Sequence, residues 1–328
     1  MLDVHRLRLL RELSYRGTIA AVAQALAYTP SAVSQQLAVL EREAGVALLE
    51  RTGRGVRLTP AAHTLVAHAE QVLAGLESAA AAVAATKGGL TGRLRLGAFP
   101  SAARTLLPPA LVALGRDHPD LELMVDEIDP ADAAGLLRTG DLDAALTQDY
   151  DLVPVPEHPA LESTVVLTEP MYLASASPAG SPAGSPAGSA PGRDEAVRAF
   201  RSGAWIMGRP GTLCRLAAER VCQAAGFEPR VRHQTDDFPT ALALVAAGQG
   251  QAILPRLGAV NAPRSVVLTP LTTTTRVRVT HRRGAGGHPG IAAFHRAIED
   301  AVEDYLGRAT ATTVTRSSNP VKSSGFVV

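Results

Sequence analysis

The chain has 328 residues, 46% hydrophobic and 19% charged, with 32 Lys and Arg against 31 Asp and Glu for a formal net charge of +1. That length accommodates two or three domains, and that balance excludes a wholly disordered chain. No apolar run reaches the roughly 20 residues of a membrane span, and the N-terminus, with Asp3, His5 and Arg6, carries no secretory leader, so the chain is expected in the cytoplasm with no membrane partner. Residues 1–60 hold eight Arg against five acidic groups, a surplus of three, which leaves −2 for the remainder. The positive balance is modest, but it sits at the end where a polyanion would bind.

In chain order, Gly17 to Leu26 predicts a short helix capped by Thr18, with Ile19, Val22, Ala23 and Leu26 on one face. After a break at Ala27 to Thr29, a second helix begins with Thr29 as N-cap and Pro30 at its first position. At about 100° per residue, Val33, Leu37, Leu40 and Ala44 fall on its core side, and Ser31, Ser34, Gln35, Ala38 and Arg42 on the other. Small polar residues let a backbone approach base edges, and Gln pairs bidentately with adenine. Two short helices with this polar second face predict a helix-turn-helix. From Glu50 to Thr59, basic and apolar residues alternate around Gly53 and Gly55, which predicts a hairpin whose Arg51 and Arg54 would grip a phosphate backbone. The candidate DNA contacts are Thr29, Pro30, Ser31, Ser34, Gln35, Arg51 and Arg54.

From Thr59 to about Thr86 the chain is Ala-rich, and Leu65, Ala69, Val72, Leu76, Ala79 and Val83 recur at alternating steps of four and three. This is the seam spacing of a coiled coil, on a helix of roughly 42 Å. Such a helix either pairs with a second copy or lies on the downstream domain. Past a glycine hinge at Gly88, Gly89 and Gly92, strands are expected at Arg93 to Phe99, Leu121 to Ile128 and Asp143 to Thr147, with helices near Arg104 to Arg116 and Ala131 to Arg138. A second set follows: strand Ala204 to Met207, helix Leu213 to Ala225, strand Pro229 to Gln234, helix Phe238 to Ala247 and strand Gln251 to Leu254. The last pieces, strand Arg276 to His281 and helix Gly290 to Leu306, return to the first set. The alternation predicts βαβ units, a parallel sheet with helices on both faces, and two lobes with a ligand cleft between them.

Several motifs point one way in their order and spacing: A-x-x-L before the turn, P-S-A-V-S-Q-Q, L-E-x-E-x-G at Leu40 to Gly45, L-L-E-R at Leu48 to Arg51, and L-T-P-A at Leu58 to Ala61. Downstream stand G-D-L-D-A-A-L at Gly140 to Leu146, A-A-G-F-E-P, and L-V-A-A-G-Q-G-Q-A-I-L-P at Leu244 to Pro255. With these the chain resembles the LysR-type transcriptional regulators from Leu7 to Leu306. Leu49 departs from the family's preferred Phe, and Ala62 from its Gly. The resemblance implies an α/β chain with an N-terminal all-α winged helix-turn-helix and a two-lobed α/β effector-binding domain similar to periplasmic binding proteins. The expected divisions are a DNA-binding unit at 1–58, a linker and dimerisation helix at 59–87, and an effector-binding domain at 88–308. Its lobe 1 would take about 93–167 and 269–308, its lobe 2 about 168–268, leaving a disordered tail at 309–328. The partners implied are a double-stranded DNA operator forming an interrupted palindrome, a small-molecule effector, and further copies of the chain as homodimer or homotetramer. RNA polymerase is a further partner open to such a regulator. Family effector positions correspond here to Ser101, just after the first strand, Asp129 after the second, Thr212 at a helix start in the second lobe, and Phe238; each also suits a cap or core residue.

Cys214 and Cys222, the only cysteines, share one predicted helix, in the region where the family's peroxide-sensing branch uses a cysteine pair. Eight residues separate them by about 12 Å along a helix, beyond disulfide reach, so they are expected as buried structural thiols that form no metal site. The P-A-G-S repeat from Pro178 to Ser189 predicts a surface loop, and Gly284, Gly286 and Gly290 a surface turn. The competing class is an α/β enzyme or solute receptor, because fold alone does not decide function. The chain shows no G-x-S-x-G, P-loop or H-E-x-x-H, and no cofactor is expected.

Overall fold

The computed structural model describes residues 1–53, 55–86, 89–176 and 193–317. The N-terminal unit comprises α1 (Val4–Arg16), α2 (Ile19–Ala25), α3 (Pro30–Ala44) and a wing of β1 (Leu49–Thr52) and β2 (Gly55–Leu58). Asp3, Thr18 and Thr29 each accept a backbone N–H three residues on, so each helix start has a side-chain cap. Their apolar faces meet in one core containing Leu10, Leu13, Val22, Val33, Leu37 and Leu40. The wing is antiparallel, pairing Leu49 with Leu58 and Thr52 with Gly55.

Helix α4 (Pro60–Ala85) starts at Thr59, whose hydroxyl accepts from Ala62 N–H and donates to the Ala47 carbonyl. Its first turns belong to the N-terminal core, where Ala62 and Ala69 are buried and Leu65 packs beside them. Beyond Ala69 the two readings of this helix coexist on different faces. One face lies on the downstream domain: Glu77 pairs with Arg282 at 2.9 Å, and the Ala74 carbonyl passes Gly284 so closely that a Cβ there would overlap it. The other carries Val72, Leu76 and Val83, 45%, 49% and 64% exposed. Of the expected seam, Ala69 is buried and Leu65 half-buried by packing within the N-terminal unit.

Downstream, β3 (Gly92–Ala98) pairs in parallel with β4 (Leu121–Glu127) and β5 (Ala144–Tyr150). Helices α5 (Pro100–Thr105), α6 (Leu107–Asp117) and α7 (Ala133–Thr139) connect them. The long strands β6 (Leu161–Ser175) and β10 (Val267–Arg282) then run antiparallel to each other from lobe 1 into lobe 2. Lobe 2 adds α8 (Arg193–Arg198), β7 (Ala204–Met207), α9 (Leu213–Ala224), β8 (Arg230–Gln234), α10 (Phe238–Ala246), β9 (Ala252–Pro255) and a 3₁₀ turn at Arg256–Ala259. A second 3₁₀ turn at Ala285–Gly287 leads into α11 (Pro289–Ser317), which packs on lobe 1 against α6.

Three expectations need correction. The main sheet, ordered β4-β3-β5-β10-β6-β9, is mixed, because the two crossing strands enter it antiparallel. The glycines at 284 and 286 do not form a free surface turn: Gly284 abuts the α4 backbone and a Cβ on Gly286 would meet the His281 ring at 2.9 Å. Helix α11 continues past Leu306 to Ser317, into the segment expected to be disordered, since no Gly or Pro interrupts it after Gly307. The P-A-G-S repeat lies outside the described residues. Among those residues, no helix is long and apolar enough to cross a membrane.

The two halves also meet through charge. Glu12 of α1 is fully buried, and its carboxylate accepts from Arg138 of α7 through Nε and Nη2, both at 3.1 Å, from Arg16 at 3.0 Å and from Arg11 at 3.1 Å. Burial opposes its ionisation, yet the hydrogen bond and charge of Arg138, with Arg11 and Arg16, hold the carboxyl below its ordinary range. Arg138 lies over the Tyr15 ring at 4.4 Å, and Tyr15 stacks on His158 at 4.5 Å and donates to Glu70 of α4 at 2.6 Å.

Candidate nucleic-acid interface and interlobe site

Along α3, Ser31, Ser34, Gln35, Ala38 and Arg42 are exposed while Val33, Leu37 and Leu40 are buried, the division expected from the periodicity. Thr29 and Pro30 lie exposed at its start, and the Thr29 hydroxyl serves both Ala32 N–H and the Ser31 hydroxyl. Gln36 turns the other way and accepts from Arg6 at 3.0 Å. A second residue, overlooked in the sequence, fixes the wing beside this helix: the Glu41 carboxylate accepts from Leu48 and Leu49 N–H at 2.9 and 3.0 Å. Its signal lay in L-E-x-E-x-G, an acid one turn before a helix end and a strand. On the wing, Arg51 is exposed with no ion pair among the described residues, and Arg57 pairs with Glu50 at 2.8 Å. Arg54 lies outside the described residues.

The four candidate effector residues are not brought into mutual contact: among the described residues no hydrogen bond or ion pair joins any two of them. Ser101 is the second residue of α5, 2% exposed, and its hydroxyl has no partner among the described residues. Thr212 caps α9, accepting from Arg215 N–H while donating to the Arg209 carbonyl, so its hydroxyl is already committed. Asp129 is exposed and caps the Ala131 N–H. Phe238 packs against the 3₁₀ turn, where a Cβ on Gly258 would lie 2.5 Å from its ring. A direct link between the lobes comes from neighbours of these residues, Arg104 of α5 and Asp237 at the N-cap of α10, at 3.6 Å.

At the hinge itself, Glu169 of β6 is 2% exposed and accepts from Leu257 N–H of lobe 2 at 2.9 Å and from the Tyr305 hydroxyl of α11 at 3.0 Å. Burial pushes its carboxyl up to about 7 despite those two hydrogen bonds and the charge of Arg256. Cys214 and Cys222 both lie on α9 as free thiols, and burial pushes each up to about 12, which leaves them protonated and unreactive near neutrality.

Comparison with known proteins identifies both halves. Residues 4–63 match the model of the bacterial regulatory helix-turn-helix proteins of the lysR family, and residues 87–303 match the LysR substrate binding domain. The chain is 29% identical over 280 residues to the probable HTH-type transcriptional regulator LrrA of Synechococcus elongatus, covering 81% of this chain and 85% of that one. It is 27% identical over 272 residues to the transcriptional dual regulator GltC of Bacillus subtilis, covering 82% and 86%. These relatives are regulators rather than enzymes. Its fold is similar to that of Corynebacterium glutamicum OxyR, a C206 mutant, with a TM-score of 0.57 at 22% identity over 95% of each chain. With family matches over both the helix-turn-helix and the larger α/β part, the chain belongs to the LysR family of DNA-binding transcriptional regulators, with an effector-binding domain as its second part.

Proposed function

We propose that this regulator reads its operator with the exposed face of α3, steadies it with the wing, assembles through the open seam of α4, and is controlled by a small molecule held between its two lobes. The observation that carries the DNA reading is the division of α3. Among the described residues its polar side, Ser31, Ser34 and Gln35, has no hydrogen-bond or ion-pair partner apart from the Thr29 cap, while its other side is spent on the core. The effector reading is supported by the buried hydroxyl of Ser101, without a partner among the described residues, on the same helix as Arg104 of the interlobe pair Arg104–Asp237. A ligand there would favour one lobe arrangement by its differential affinity. Such a shift would reach the DNA-binding unit through α7 and Glu12 and through the contact of Gly284 with α4. Pairing of dimers into a tetramer, contact with RNA polymerase and a cytoplasmic location follow the same reading.

The test is a comparison of base-reading and phosphate-binding variants. Gln35→Ala is expected to erode discrimination between operator and random DNA by about 1 to 3 kcal/mol. Arg54→Ala is expected to weaken binding on all sequences alike and flatten its salt dependence. Quantitative gel-shift titrations at several salt concentrations check both, and an equal loss on all DNA for Gln35→Ala would defeat the assignment of α3 as the reading element.

A further inference from the structure

Helix α3 carries a single cation, Arg42, in its last turn. At about 100° per residue Arg42 stands within about 20° of both Ser31 and Gln35 around the helix axis, so it shares their exposed face. The acids on either side of it are committed elsewhere: Glu41 to the Leu48 and Leu49 N–H groups of the wing, and Glu43 to Arg6 of α1. Arg42 has no ion pair among the described residues, and its Nε reaches only the Ala38 carbonyl, one turn back, at 3.5 Å.

Distance along the helix separates Arg42 from the base-reading positions. It lies eleven residues beyond Ser31, roughly 16 Å at about 1.5 Å per residue, whereas the major groove is about 12 Å wide. With the first turn of α3 at the base edges, the last turn therefore stands at the margin of the groove, where phosphates line the wall. Ala38, exposed between the two, ends in a methyl and keeps nothing bulky between helix and duplex. The Glu41 bonds hold the start of the wing against this same turn, so Arg42 reaches DNA together with the element that follows the backbone. A guanidinium fork matches the oxygens of a phosphate in geometry as well as in charge.

We infer that Arg42 is a positioning residue of the DNA complex: its guanidinium takes a backbone phosphate at the edge of the major groove and so fixes how far along the groove Ser31 and Gln35 stand. This rests on α3 being the reading element. Base identity is left to Ser31, Ser34 and Gln35, because a contact to phosphate carries no sequence information of its own. Neutralisation of the backbone is then shared between α3 and the wing.

The test uses the full chain, a duplex that the parent protein selects from a randomised pool, and a scrambled duplex of the same length, titrated by fluorescence anisotropy at several salt concentrations. Arg42→Gln is expected to weaken binding to both duplexes by the same factor, about tenfold near 0.1 M salt, and to lower the slope of log K against log salt by about 0.9 for each α3 engaged. Arg42→Lys is expected to restore the slope and part of the affinity. Ethylation interference gives a readout that a merely structural role would not move: one phosphate in each half-site is expected to matter to the parent and no longer to Arg42→Gln. Thermal melts confirm that each variant is folded. Gln35→Ala, measured alongside, is expected to keep the parent's slope while losing discrimination between the duplexes. An unchanged slope in Arg42→Gln, or a loss confined to the selected duplex, overturns the inference while leaving α3 as the reading element. Parent-like discrimination in Gln35→Ala overturns that reading and the inference with it.

Discussion

At Glu169 a single carboxyl joins the lobes, and its protonation sets how well it does so. Its folded pKa of about 7 lies above the ordinary 4.5, so between these values the folded chain holds a proton that the unfolded chain has lost. The contribution to stability is therefore full below about pH 4.5 and is lost as the pH rises through 7, falling by at most about 1.4 kcal/mol for each pH unit crossed. Glu169→Gln keeps an acceptor for Leu257 N–H and cannot ionise. It is expected to flatten the decline in urea midpoint between pH 5 and 8, and a parent-like decline would place the titration elsewhere. Nothing in the sequence singles out Glu169, because its burial comes from a helix 136 residues away and a turn 88 residues away. Asp143 contrasts with it. Within G-D-L-D it was visible as a motif, and the structure shows its work: it accepts from Arg95 N–H at 2.9 Å and pairs with the Arg95 and Arg282 guanidiniums.

Among the elements, α4 was the most legible in its bounds and the least in its use. Thr59, Pro60 and an unbroken Ala-rich run define a helix by local chemistry alone. Which face meets which neighbour depends on residues far downstream, above all Gly284, whose missing side chain admits the α4 backbone. The remaining apolar positions Val72, Leu76 and Val83 stay exposed in the single chain. Leu76→Asp therefore costs the isolated chain little, but in a paired seam it buries an unpartnered charge. Dimer affinity is expected to fall by about a hundredfold or more, with operator binding falling alongside. Sedimentation velocity across a concentration series checks this; an unchanged oligomer would remove α4 from the interface.

For the whole molecule, the docking of α1 on α7 is the feature that joins DNA reading to effector sensing. Glu12 is the anion shared by Arg11, Arg16 and Arg138 in that contact, with Glu70 reaching Arg11 alone, so Glu12→Gln leaves Arg16 and Arg138 without their carboxylate in a largely buried place. Removing one partner of a buried pair costs about 3 to 5 kcal/mol, here charged to the docked arrangement. Hydrogen exchange is expected to speed up in α1 and α7 while the α3 core stays protected; unchanged protection of α7 would show that the contact does not hold the halves together. His158 adds a pH dependence of the opposite sign to that of Glu169. Burial, then the charges of Arg138 and Arg11, lower its pKa to about 4 from 6.5. Its Nε2 receives Arg138 at 3.2 Å and its Nδ1 receives Ala160 N–H at 3.2 Å. A neutral ring can accept only one of these fully, and a protonated ring neither. Its stabilising contribution is present above pH 6.5 and lost as the pH falls towards 4. His158→Gln is expected to remove that acid-side release of α1, followed by hydrogen exchange at pH 5 against pH 7.5.

Local chemistry, legible in the sequence, determined the capped helices of the N-terminal unit, the polar face of α3, the wing, the length of α4 and most of the strands and helices of both lobes. Each of these follows from periodicity and end signals within a few residues. The antiparallel entry of β6 and β10, the packing of Leu65 and Ala69 into the N-terminal core, the Glu12–Arg138 contact and the burial of Glu169 were decided only by tertiary structure. Glu12 and Arg138 are 126 residues apart, and in the sequence each is an ordinary surface charge on an amphipathic helix. Whether a charge is solvated or paired depends on what the fold brings opposite it, and long-range packing alone supplies that.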